Sequence, residues 1–112
     1  MTTIGCFLHE KLCNMARWIT EDADCAISTD IVVLSQQCTH LHATMFAEML
    51  LKEKVCIVHR DWNKLHRLVN AADMPFDFGE VVHVVQKNEA MHDKFWRYLE
   101  LFSTIVENNS ND

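Results

Sequence analysis

The chain is expected to be all-α, and three observations carry that expectation. It has only two glycines and one proline in 112 residues. A many-stranded β fold needs a turn every ~8–12 residues, which so few breakers do not supply. Its hydrophobic content of 49% and net charge of -6 suit a folded domain rather than a disordered chain. Finally, apolar residues recur at the three-and-four spacing of amphipathic helices over most of the length. The expected architecture is a small four-helix bundle or orthogonal helical domain over residues 1–107, followed by a disordered polar tail over 108–112. An α+β alternative places short strands near 31–34 and 55–59, where β-branched residues cluster.

Residues 3–19 read as the first helix. Ile4, Leu8, Leu12, Met15 and Ile19 trace its apolar side, with Phe7 and Trp18 on one flank. The stretch 21–30 carries Glu21, Asp22, Asp24 and Asp30 with no base, and reads as a connector rich in N-cap residues. A second helix is expected from about Thr29 to Lys52, on the stripe Ile31, Leu34, Cys38, Leu41, Met45 and Met49, with Gln36, His40 and Thr44 opposite. A break near Lys52–Lys54 leads into a third helix on Val55, Val58, Trp62, Leu65 and Val69. One bent helix over 29–72 is the competing reading, because no Gly or Pro marks the boundary.

Pro75 ends that region, since the residue before proline is pushed out of helical geometry. Asp77 and Glu80 are spaced as a capping box. The last helix follows on Val81, Val84, Met91, Phe95, Tyr98, Phe102 and Ile105 or Val106, with Asn88 as the expected break.

Five cysteines, at 6, 13, 25, 38 and 56, are an odd number and do not form a disulfide framework. The N-terminus lacks the basic and apolar segments of a secretory leader, and no apolar run reaches the ~18–20 residues that span a bilayer. The chain is therefore read as intracellular, cytoplasmic or nuclear, with no membrane partner. Its acidic balance disfavours nucleic acid as a partner, because that binding is largely electrostatic.

Cys6, His9 and Cys13 fall within about 60° of one another on a helix, opposite the apolar centre of the first helix. Cys6 and Cys13 are separated by ~10.5 Å of helix axis, so one ion takes at most two of the three and a second element must supply the rest. The better-specified zinc alternative is a Cys2His2 set of Cys38, His42, Cys56 and His59. Without a C-x2-C knuckle, the main expectation remains no cofactor. A thiol redox sensor or cysteine-dependent enzyme centred on Cys6 or Cys13 is a third alternative. No Gly-rich phosphate loop, G-x-S-x-G or H-E-x-x-H is present, so no catalytic residues are assigned.

The leading reading is a non-catalytic protein–protein interaction or adaptor module, self-associating, which recognises another protein through a helix face. Trp18, Trp96 and Leu101 lie off the apolar stripes and serve as anchor candidates. Arg60, Lys64 and Arg67 form a basic strip on the third helix and would supply charge complementarity.

Overall fold

Leu8, Leu12, Met15 and Ile19 recur along one side of the first helix, and that side is shut away from solvent completely. The computed structural model describes residues 4–22, 36–72 and 78–110. These residues form six α-helices: α1 Ile4–Asp22, α2 His40–Lys52, α3 Lys54–Val58, α4 Trp62–Ala71, α5 Phe78–Lys87 and α6 His92–Ser110. A single 3-10 turn, Glu89–Met91, precedes α6. No strand occurs among the described residues, and Lys54–Val58 is helical where the α+β alternative placed a strand. The candidate strand at 31–34, the connector beyond Asp22, Pro75 and Asp77 lie outside the described residues. The protein is all-α.

The three long helices α1, α2 and α6 pack against one another pairwise, and α4 and α5 pair with each other beside them. Capping chemistry sets several of the boundaries. Thr39 is extended, accepts the His42 backbone N–H on Oγ1 at 3.2 Å, and donates its own N–H to His42 Nδ1 at 3.2 Å. This is a capping box with histidine in the place of Glu or Gln, and it starts α2 at His40. Asp61 opens α4 by accepting the Lys64 N–H at 3.1 Å.

The third helix of the sequence reading is two helices. Arg60 takes φ 50, the left-handed region. Its N–H bonds the Ile57 carbonyl while the Asp61 N–H reaches the Cys56 carbonyl at 2.9 Å. That bond pair is a Schellman stop, with arginine where glycine usually stands. The left-handed conformation costs a non-glycine residue about 1 kcal/mol. As a result Val55 and Val58 leave the expected stripe and stand 67% and 69% exposed. The break at Asn88 falls where expected: Asn88 is extended, and His92 Nε2 donates to the Gln86 carbonyl near the end of α5 at 2.8 Å.

The core is continuous and strongly aromatic. Trp62 of α4 meets Trp96 at 4.9 Å and Phe95 at 6.0 Å between ring centroids. Phe95 meets Phe78 of α5, Phe78 meets Phe46 of α2 at 4.9 Å, and Phe46 meets Phe102. Four helices are thereby tied through one ladder of rings, each buried pair adding about 0.5–1.5 kcal/mol beyond its area. Ser103, the buried polar residue of α6, donates its hydroxyl to the Glu100 carbonyl at 2.9 Å and leaves no unmet donor. α6 continues helical through Ser110, beyond the residue 107 boundary read from the sequence.

Candidate functional site: a thiol and imidazole cluster at the seam of two helices

α1 and α2 approach unusually closely because α1 carries Gly5 at the crossing. A Cβ at that position would stand 2.9 Å from His40 Cβ and 3.2 Å from the His40 carbonyl oxygen. The close seam turns the Cys6–His9–Cys13 stripe of α1 toward the start of α2. Cys6 Sγ lies 3.5 Å from each ring nitrogen of His40, and the His9 and His40 rings meet edge to face at 5.1 Å. Cys13 Sγ lies 3.8 Å from His9 Nε2. Alongside is an open cavity of about 480 Å³, lined by His9, Cys38, Thr39, His40, Leu41 and the two glutamines before them. The stripe therefore does find a second element in His40, with Cys38 lining the cavity beside His9.

Burial and the neighbouring charge of Cys13, in that order, push the Cys38 thiol up to about 11. Cys56 is also pushed up, chiefly by burial. The linkage follows in sign. Below the ordinary thiol value of 9.0 both folded and unfolded chains keep the Cys38 proton. Between 9.0 and about 11 only the folded chain keeps it, so stability falls as pH rises through this window. We expect Cys38 to account for a loss of about 2 kcal/mol between pH 8.5 and 11. Urea unfolding midpoints across that range check it: Cys38→Ala should lose less than the wild type, and equal losses would assign the fall to other groups.

Among the described residues, no group of three or more His, Cys, Asp or Glu side chains is placed to hold a metal ion. The Cys38, His42, Cys56 and His59 set does not assemble. Cys38 and His42 stand at the start of α2, and Cys56 and His59 follow its end, so the 13 residues of that helix hold the pairs about 20 Å apart. His42 is occupied by the Thr39 cap, and His59 is exposed.

Both tryptophans proposed as outward anchors serve the interior. Trp96 is 2% exposed, because α4 covers a second side of α6 with Trp62. Trp18 is half-buried, its ring tilted against Tyr98 at 5.5 Å with the Lys94 ammonium 4.5 Å above it. Its indole Nε1 is buried without a hydrogen-bond partner among the described residues. Leu101 is exposed, as expected, at 38%.

The basic strip is divided. Arg60 sits in the turn rather than on a helix and pairs with Asp93 at 2.8 Å. This hydrogen bond, with the nearby charge of Arg97 adding to it, holds the Asp93 carboxyl below its usual value. Lys64 pairs with Glu53 at 3.1 Å, and Arg67 is exposed on α4.

The residues that sequence reasoning passed over are Leu41 and Met45, which it assigned to the interior stripe of the second helix. The face of α2 that is buried is Ala43, Phe46, Ala47 and Leu50, and this leaves Leu41 66% and Met45 51% exposed. The signal available was the rival stripe centred on Phe46, the largest side chain of that helix.

Fold and site together define a small all-α domain with a cysteine–histidine seam and an exposed aliphatic helix face. Comparison with known proteins finds no matching family model, no similar curated protein and no similar solved structure. Among the described residues, no helix is long and apolar enough to cross a membrane.

Proposed function

We propose that this protein is a non-catalytic interaction module that self-associates through the outer face of α2. The observation that carries the reading is the exposure of Leu41 and Met45, one helical turn apart and each more than half open to solvent. At about 100° per residue, Leu41, Met45, Glu48 and Lys52 fall within roughly 60° on the outer side of the helix. All four are exposed. Two copies laid antiparallel about a twofold near Leu50 set Glu48 of one against Lys52 of the other, and bring the Leu41 and Met45 end of one toward the Val55 and Val58 end of the other. Val55 and Val58, beyond the end of α2, extend the exposed aliphatic surface along the chain. Trp18 and Trp96 have no part in this face. Arg60 and Lys64, already paired within the chain, contribute little to it.

Sedimentation velocity over a hundredfold range of concentration tests the reading. The wild type should shift from monomer to dimer with rising concentration. Leu41→Glu with Met45→Lys should stay monomeric, with an unchanged helical circular dichroism spectrum. A wild type that is monomeric throughout would remove self-association and leave an unlike protein as the occupant of the face.

A further inference from the structure

The seven histidines do not respond alike to a second ring proton, and one of them holds a helix end. His66 and His92 donate through Nε2 to the Gln86 side-chain oxygen and carbonyl, at 2.9 and 2.8 Å. A proton added at Nδ1 leaves both of those bonds in place. His42 is used the other way round. Its Nδ1 accepts the Thr39 backbone N–H at 3.2 Å and stands 2.8 Å from the Thr39 hydroxyl, while its own N–H goes to Thr39 Oγ1. The nitrogen that closes this capping box must therefore carry no hydrogen. Glutamine, a usual residue at this place, accepts at any pH.

Nothing around His42 favours an added positive charge. The start of a helix is already the positive end of its dipole, and the first turn of α2 holds no acidic residue. His40 shares that turn, and Cys38 precedes it. From α1 the titratable groups facing this end of α2 are Cys6, against the His40 ring, and His9, edge to face with it at 5.1 Å. α3, α4 and α6 also pack on α2, but their ion pairs close elsewhere: Lys54–Glu107, Lys64–Glu53, Arg60–Asp93 and Arg97–Asp93.

We propose that His42 is a pH-operated cap: its neutral ring fastens the start of α2, and protonation releases that turn. Free imidazole takes its second proton at roughly pH 6.5, so mild acid is enough to work the device. The capped turn excludes the proton and the open turn admits it, so acid favours the open form. Once Nδ1 carries a hydrogen, the Thr39 N–H has lost its acceptor and the ring charge opposes the dipole. The bonds that open are that one, His42 N–H to Thr39 Oγ1, and Ala43 N–H to the Thr39 carbonyl. Leu41 sits in the released turn. Acid should therefore also weaken the α2 face, a consequence that rests on the self-association reading above.

The test compares the wild type with His42→Gln, which keeps a capping acceptor and does not titrate. Amide hydrogen exchange is measured at pH 7.5 and about pH 5, at concentrations where both proteins are monomeric. Protection of the 42–44 amides, corrected for the intrinsic rate at each pH, should fall at least about fivefold in the wild type and less than about twofold in His42→Gln. The imidazole nitrogen spectrum of the wild type at pH 7.5 should show His42 Nδ1 without hydrogen. Unchanged wild-type protection, equal losses in the two proteins, or a hydrogen on Nδ1 at pH 7.5 would each overturn the cap. Both wild-type readings stand without the variant, so they decide if His42→Gln does not fold. Sedimentation at the two pH values tests the consequence separately: acid should weaken the wild-type dimer and spare that of His42→Gln. A chain monomeric at both pH values removes the face and leaves the exchange result to decide the cap.

Discussion

Trp96→Ala is expected to cost about 3–5 kcal/mol of folding stability, the range for emptying a large aromatic site that cannot collapse. Trp96 is 2% exposed and packs edge to face on Trp62 at 4.9 Å and on Phe95 at 6.1 Å. Its removal breaks the ring ladder where α4 joins α6. Domains of this size hold about 5–15 kcal/mol in all, so the variant should unfold at markedly lower urea and lose helicity on mild heating. Leu101→Ala, on the exposed side of the same helix, should change the midpoint by less than about 0.5 kcal/mol. A Trp96→Ala protein as stable as the Leu101→Ala protein would take Trp96 out of the core.

Gly5→Val should cost about 1–3 kcal/mol, toward the upper end. The nearest atom to an added Cβ is His40 Cβ at 2.9 Å, and the next are the His40 carbonyl oxygen and Thr44 Oγ1 at 3.2 Å. Two of those three atoms move only with the α2 backbone, so the helices must separate. Thr44 Oγ1 is itself held by donating to the His40 carbonyl at 2.9 Å. Gly5→Ala should lose less, because helix propensity returns up to about 1 kcal/mol of the clash. Urea titrations of the two variants check the order. Equal stability of Gly5→Val and wild type would mean that α1 and α2 do not touch at this level.

Helical content and several boundaries were legible because they are local. The α1 stripe is spelled by residues within one helix, and Asn88 interrupts a pattern on both of its sides. The stop at Arg60 was not legible, since the left-handed position carries an arginine and offers none of the glycine signal. The phase of α2 was misread because two apolar stripes compete in one helix. Which of them is buried depends on α1 and α6 packing from either side. Trp96 failed for the same kind of reason: its cover is Trp62, 34 positions earlier, and no periodicity within α6 records that. At the seam, Cys6, His9 and Cys13 were visible as a stripe, while the meeting of Cys6 and His9 with His40 is a tertiary event that Gly5 permits.

The position of α6 also constrains how the chain is made. Phe95, Trp96, Leu99, Phe102 and Val106 are all core residues, and α6 touches α1, α2, α3, α4 and α5. A nascent chain that has released α1 and α2 still lacks the surface against which Leu8, Leu12, Phe46 and Leu50 are buried. No earlier helix substitutes for it, so cooperative folding waits until synthesis has passed Val106. Until then the emerging segment displays its aliphatic and aromatic residues together, the state that holding chaperones recognise. Emergence of α6 and acquisition of the native structure are thereby a single step.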